Sequence, residues 1–200
     1  FNIENFKKYK SKIRYFFIEN FPEHNGNNWT YENYQRNQIK LGLNNLNPND
    51  LILISDVDEI PNLENKKFMN FDSTVFLQDM YYYKFNIHLS KGLKWRNKWA
   101  GTKSCKFKFF KSAQNVREFR VKNYPWWRFD RKIKRYIEFN GGWHFSFLMD
   151  PQSISKKISI NTQELDHVLE KKKYNINDFN DEKIIKERIH NMIDVYGRKT

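Results

Sequence analysis

Cysteine is almost absent: Cys105 is the only one in 200 residues. One thiol excludes an internal disulfide framework and a cysteine-rich zinc site, and it suits a reducing compartment. Alanine occurs only at Ala100 and Ala113, and there are just seven glycines and five prolines. No apolar run nears the roughly 18 residues of a membrane-spanning helix. No leader pattern opens the chain, which begins at Phe1 rather than methionine, so a fragment or processed form is expected. What is abundant is aromatic and basic. Aromatics make up 18% and hydrophobic residues 39%, enough to exclude a chain disordered by composition. The length suits one domain, which at this size buries roughly 70% of its unfolded surface.

Lysine and arginine total 36 against 23 acids, a formal charge of +13. A chain crowded with Asn, Lys and Ile carries much of that as compositional habit. The basic residues nevertheless crowd between Lys84 and Arg135. A local basic face there would attract polyanions, phosphorylated ligands or an anionic membrane surface.

The pattern along the chain reads as alternating strand and helix. Residues 12–18 are aromatic and β-branched, as in a strand. Residues 30–46 read as a helix with Ile39, Leu43 and Leu46 on one stripe, stopped at Asn47-Pro48. The wholly apolar Leu51-Ile52-Leu53-Ile54 reads as a strand buried on both faces, as in a parallel sheet. Further strands are expected over 74–87, Phe107–Phe110 and Arg135–Phe139. After Pro151 the spacing turns helical, through Ile154, Ile158, Leu165, Val168 and Leu169. A second helix carries Ile184, Ile185, Ile189, Met192, Ile193 and Tyr196, with Asp181 as N-cap and Gly197 as stop. The order predicts an α/β fold with a mixed sheet, residues 1–150 forming its body and 151–200 C-terminal helices packed on the same domain.

Chemistry concentrates just after the apolar strand, in Ser55-Asp56-Val57-Asp58-Glu59-Ile60-Pro61. Ligands of open α/β sheets bind at carboxyl ends of strands. Alternation would put Asp56 and Asp58 on one side and point Val57 into the protein. Two such carboxylates can share Mg²⁺ or Mn²⁺, whose remaining positions go to phosphate oxygens and water. Three acids in four positions repel one another, so a cation is expected among them.

Residues 52–61 resemble the signature of glycosyltransferase family 17, which includes β-1,4-mannosyl-glycoprotein N-acetylglucosaminyltransferases. Gly141-Gly142-Trp143-His144-Phe145-Ser146 matches a second block, and Trp29-x-x-Glu32-x-x-Gln35-Arg36 a third. In the third, Tyr31 replaces the usual Arg; near Gln163-Glu164, Thr162 replaces the usual His. The resemblance implies a GT-A-like fold, beginning here after the family's N-terminal β-α unit. It implies an inverting transferase moving a sugar, N-acetylglucosamine from UDP-GlcNAc, onto a glycan or glycoconjugate acceptor. It implies Mn²⁺ or Mg²⁺ held by Asp56, Asp58 and His144, with Asp56 as ligand or ribose contact. Arg36, Glu32, Asp56 and Trp143 are candidate donor-binding residues. For Arg36 a bidentate phosphate clamp competes with an i,i+4 pair to Glu32. Inversion needs a carboxylate base for the acceptor hydroxyl, and Glu59 and Glu164 are the candidates.

Two other readings stand beside this one. A basic, aromatic module binding nucleic acid or another polyanion would use residues 84–135, though the chain has neither zinc-finger nor RNA-recognition signatures and no specific nucleic acid is expected. An inactive carbohydrate-binding version of the same fold is the other. Pro125-Trp126-Trp127-Arg128 suits either sugar stacking or a membrane interface.

Overall fold

A computed structural model describes residues 2–23, 29–121, 133–160, 181–195 and 197–199. Among these residues six strands form one mixed sheet: β1 (Leu51–Ile54), β2 (Glu59–Pro61), β3 (Ser73–Tyr82), β4 (Trp99–Lys106), β5 (Arg135–Glu138) and β6 (Gly142–Ser146). The spatial order is β1-β4-β3-β6-β2, with β5 also on β3. Among the described residues four α-helices accompany it: α1 (Trp29–Asn37), α2 (Ala113–Arg117), α3 (Pro151–Ile160) and α4 (Glu182–His190).

β3 is the axis of the sheet. β4 pairs antiparallel along one side of it, while β5 and β6 run parallel along the other, one after the other. β5 takes Ser73–Phe76 and β6 takes Asp79–Tyr82. Between them the chain jogs at Gly141-Gly142. The Gly141 N–H donates to the Leu77 carbonyl at 3.0 Å, and the Gly141 carbonyl accepts from the Asn62 N–H at 3.0 Å. A Cβ on Gly141 would lie 2.5 Å from the Leu77 nitrogen. At Gly142 φ is +107°, and a Cβ there would lie 2.1 Å from the Ile60 carbonyl oxygen. No side chain fits either place, so the double glycine is a steric demand of this jog.

The core lies in three groups. Met80, Tyr82, Tyr83 and Leu89 pack with Ile154 and Ile158 of α3, Ile185 of α4 and Val195. Ile52 and Ile54 pack with Cys105, Ala113 and Val116, so α2 lies on the β1 end of the sheet. Val75, Leu77 and Val121 form the third, with Trp95, Phe119 and Ile137 against them.

Several expectations change. β1 is not a doubly buried parallel strand. It is an antiparallel edge strand paired with β4; Ile52 and Ile54 are buried, while Leu51 and Leu53 face a half-covered side. Residues 12–18 do not form a strand: a 3₁₀ segment runs to Lys12 and the following extended chain joins no ladder among the described residues. Its aromatics Tyr15, Phe16, Phe17 and Phe21 instead line a cavity of about 740 Å³ together with Gln35, Ile39 and Leu43. The strand placed at Phe107–Phe110 is one element earlier. At Phe107 the backbone donates to Asp50 and at Lys108 to Pro48, which ends β4 in a 3₁₀ turn. The helix expected to reach residue 46 stops at Asn37 and tightens to 3₁₀ geometry over Gln38–Gly42. Asp181 does cap α4, accepting from the Lys183 N–H, but the helix ends at Asn191. Gly197 (φ +80°) belongs to a separate turn, in which its N–H donates to the Asp194 carbonyl. Leu165, Val168 and Leu169 lie outside the described residues, as does the 125–128 cluster.

Candidate functional site

The acidic segment is a tight turn between two edge strands. The Glu59 N–H donates to the Asp56 carbonyl at 3.0 Å. The Ser55 hydroxyl fastens it from below, donating to the Glu59 carbonyl at 2.9 Å and lying 2.6 Å from the Thr102 hydroxyl. A turn abolishes strand alternation. Val57 therefore sits at the tip, fully exposed, rather than pointing inward. The two aspartates diverge to different partners.

Asp56 turns toward arginines. Arg117 Nη2 donates to its Oδ2 at 2.7 Å, and Arg36 Nη2 lies 3.8 Å from Oδ1. Burial, joined by repulsion from Glu59 and Asp58, raises its pKa against the pull of Arg117 and Arg36. Arg36 comes from the last turn of α1, where it pairs with Glu32 and donates to Gln114 of α2. The i,i+4 pair thus exists, and it holds Arg36 over the turn.

Glu59 opens β2 with its side chain wholly buried. Arg117 reaches it with both terminal nitrogens, Nη1 to Oε2 at 2.9 Å and Nη2 to Oε1 at 3.1 Å. Trp99 Nε1 donates to Oε1 at 2.9 Å, and the Asp56 N–H to Oε2 at 3.2 Å. Arg117 also donates to the Gly101 carbonyl at 3.0 Å, and its own carbonyl accepts from Lys103. These bonds fasten the turn to β4 and to α2, whose N-cap Ser112 accepts from the Asn115 N–H. Sequence reasoning counted Arg117 only as one more basic residue. Its role comes from the docking of α2 against β1 and β4, and no local pattern marks it.

Asp58 faces His144. In β6, His144 pairs in register with Glu59 on one side and Met80 on the other. Its Nε2 lies 3.4 Å from Asp58 Oδ2, and the Trp99 ring meets it edge-on at 5.1 Å. Its Nδ1 is buried without a hydrogen-bond partner among the described residues. Burial works against the Asp58 carboxylate, but the hydrogen bond and charge of His144, its own N–H and the nearby Lys157 of α3 outweigh it and lower its pKa.

The fold thus brings Glu32, Arg36, Asp56, Asp58, Glu59 and His144 together, with Arg117, Trp99 and Lys157 added. Trp143 is not among them. Neighbours along a strand alternate, so it points to the opposite face from His144, in register with Ile60 and Asp79. Glu164 and Thr162 lie outside the described residues. No group of three or more His, Cys, Asp or Glu suited to a metal occurs among the described residues. The Asp58–His144 pair does fit a hard cation. Two ligands of one ion bound at about 2.1 Å stand roughly 3 Å apart, and such ions draw their other ligands from water and phosphate.

A mixed α/β sheet flanked by helices, with an acidic turn and a histidine at its edge, fits an enzyme that transfers sugars. The model of glycosyltransferase family 17 matches residues 1–197, and the chain belongs to that family. No curated protein and no solved structure matches the chain. As a glycosyltransferase, it takes a nucleotide-sugar donor and a glycan acceptor. Among the described residues, no helix is long and apolar enough to cross a membrane.

Proposed function

We propose that this chain moves a sugar, N-acetylglucosamine from UDP-GlcNAc, onto a glycan hydroxyl with inversion, on a GT-A-like fold. The observation that carries the reading is the Asp58–His144 pair, 3.4 Å apart, with Lys157 near Asp58 and with Arg36 and Arg117 on the neighbouring Asp56. Asp58 and His144 would hold Mn²⁺ or Mg²⁺. When bound, such an ion supplies charge neutralisation at the leaving diphosphate. Asp56 is held by two arginines and is better placed to orient the turn than to serve as a ligand.

The chain's own groups do the rest. Arg36 and Lys157 supply positive potential where a diphosphate would lie. Arg117 and Glu59 lock the turn so that Asp58 stays aimed at His144. In the transfer, the acceptor oxygen forms a bond to the anomeric carbon as the bond to the diphosphate breaks. The acceptor proton passes to a carboxylate, and the nucleoside diphosphate leaves. Glu59 does not suit that base: it is buried and already takes bonds from Arg117, Trp99 and the Asp56 N–H. It is a positioning residue, and Glu164 is the remaining carboxylate proposed as base.

Calorimetric titration of UDP, with ADP as control and with and without Mn²⁺, tests the reading. UDP is expected to bind only with Mn²⁺, and Asp58→Ala is expected to abolish binding. Binding that ignores metal and base, and that fades with salt, overturns it.

A further inference from the structure

The face of β2, β6 and β3 opposite His144 carries an aromatic band that the donor site does not use. One row across the three strands is Ile60, Trp143 and Asp79. The next is Phe145 and Tyr81, continued by His88, which bridges to Tyr81. The rings form a chain of contacts. Tyr81 and His88 lie 5.1 Å apart, Tyr81 and Phe145 5.4 Å, and Phe145 and Phe85 5.2 Å edge-on. Much of this surface is open to solvent: Phe85 is 72% exposed, Ile60 50% and Trp143 40%. Polar groups sit inside the band. Lys98 Nζ donates to Asp79 Oδ1 at 2.5 Å, and His88 Nε2 lies 3.7 Å from the same oxygen.

Exposed apolar patches of this kind mark a binding surface. The band spans two inter-strand gaps, about 10 Å, by two residues along the strands. Its composition selects among partners. A lipid surface or a large protein interface would bury the Asp79 carboxylate in its middle, at a desolvation cost. A neutral pyranose needs just this mixture: flat rings for its C–H faces, and a carboxylate, an ammonium and an imidazole for its hydroxyls. Asp79 and Lys98 cancel in charge, which leaves no preference for an anion.

We propose that this face binds a neutral oligosaccharide. It would grip the acceptor glycan, or the lengthening product, away from the reacting hydroxyl, with Trp143 and Phe85 as the stacking platforms and Asp79, Lys98 and His88 as the polar contacts. The inference rests on the glycosyltransferase reading and adds the place where the acceptor is held. Binding energy from remote parts of a substrate positions the part that reacts. Because Trp143 and His144 are neighbours on one short strand, occupancy of the platform is linked mechanically to the donor site.

The test is saturation-transfer NMR and calorimetry with two probes, a mannose trisaccharide and di-N-acetylchitobiose, on the wild type, Trp143→Ala and Phe85→Ala. At least one probe is expected to bind the wild type at millimolar concentration. Each substitution is expected to weaken it about tenfold or more. Phe85 is exposed enough for its variant to fold, which a thermal melt confirms. UDP binding with Mn²⁺, measured on the same samples, separates the two readings. Loss of neither probe in the variants, or no binding of either probe to the wild type, overturns the platform even where UDP still binds. Failure of UDP binding with glycan binding intact overturns the donor reading alone.

Discussion

Arg117 is the residue on which the acidic turn depends. It is 12% exposed and forks between Asp56 and the fully buried Glu59. Removing one partner of a buried ion pair leaves the other charge uncompensated, at about 3–5 kcal/mol. Arg117→Ala should therefore lower the melting temperature sharply and abolish UDP binding, although Arg117 touches neither Asp58 nor His144 in any described contact. Arg117→Lys should recover little, because an ammonium cannot reproduce the planar fork. Differential scanning fluorimetry with UDP titration checks both, and a lysine variant with wild-type stability would show that the fork is dispensable. The residues of the turn were readable from sequence because acids so close together in a basic chain need cations. The cation itself was not readable, since Arg117 lies on a helix that meets the turn only through the tertiary fold.

At the scale of elements, the Gly141-Gly142 jog decides where His144 sits. β5 and β6 share one side of β3, and the jog between them sets β6 in register with both Met80 and Glu59. Gly142→Ala must place a Cβ against the Ile60 carbonyl at positive φ, so it should destabilise the fold by more than the roughly 1 kcal/mol that the same change gains at a compatible glycine site. It should also weaken Mn²⁺-dependent UDP binding, because His144 moves with the strand. Chemical denaturation with parallel titrations measures both, and a Gly142→Ala protein with unchanged affinity would uncouple the jog from the site. Elements with strong local marks were legible: β3, β5, α3 and the cap of α4. Those misread were apolar runs whose partner decides their fate. Leu51–Ile54 has the composition of an interior strand but sits at an edge. Residues 12–18 have β-forming side chains but no strand beside them among the described residues. Phe107–Phe110 is drawn off its strand by backbone bonds to Asp50 and Pro48.

At the scale of the whole molecule, charge and pH act together. Lys103 is buried beside Arg117, and burial, with the guanidinium's repulsion, pulls its pKa from 10.5 down to about 8. The unfolded chain keeps that proton to near 10.5. Between about pH 8 and 10.5 the unfolded state binds more protons than the folded one, so this group makes stability rise with pH, by at most about 1.4 kcal/mol per unit. Buried Cys105, whose pKa burial pushes up from 9.0 to about 12, works in the opposite sense above about pH 9. The Lys103 contribution is therefore read as the difference between wild type and Lys103→Met in denaturant melts. That difference should grow with pH from about 8, and a constant difference would mean that Lys103 keeps its proton.

The pairing of residue 59 with residue 144 has a kinetic side. Asp58 immediately precedes β2 and His144 lies on β6, and the β2–β6 ladder closes a very long loop; such closures slow folding. Before β6 docks on β2, the acidic turn has no histidine and the histidine no carboxylate. Competence to bind a donor therefore arrives with the late long-range contacts rather than with the local turn. A nucleotide that binds only the finished pair would stabilise the whole native state by mass action. Its protection in hydrogen exchange would spread over β2, β3 and β6 and would not stop at the loop it touches.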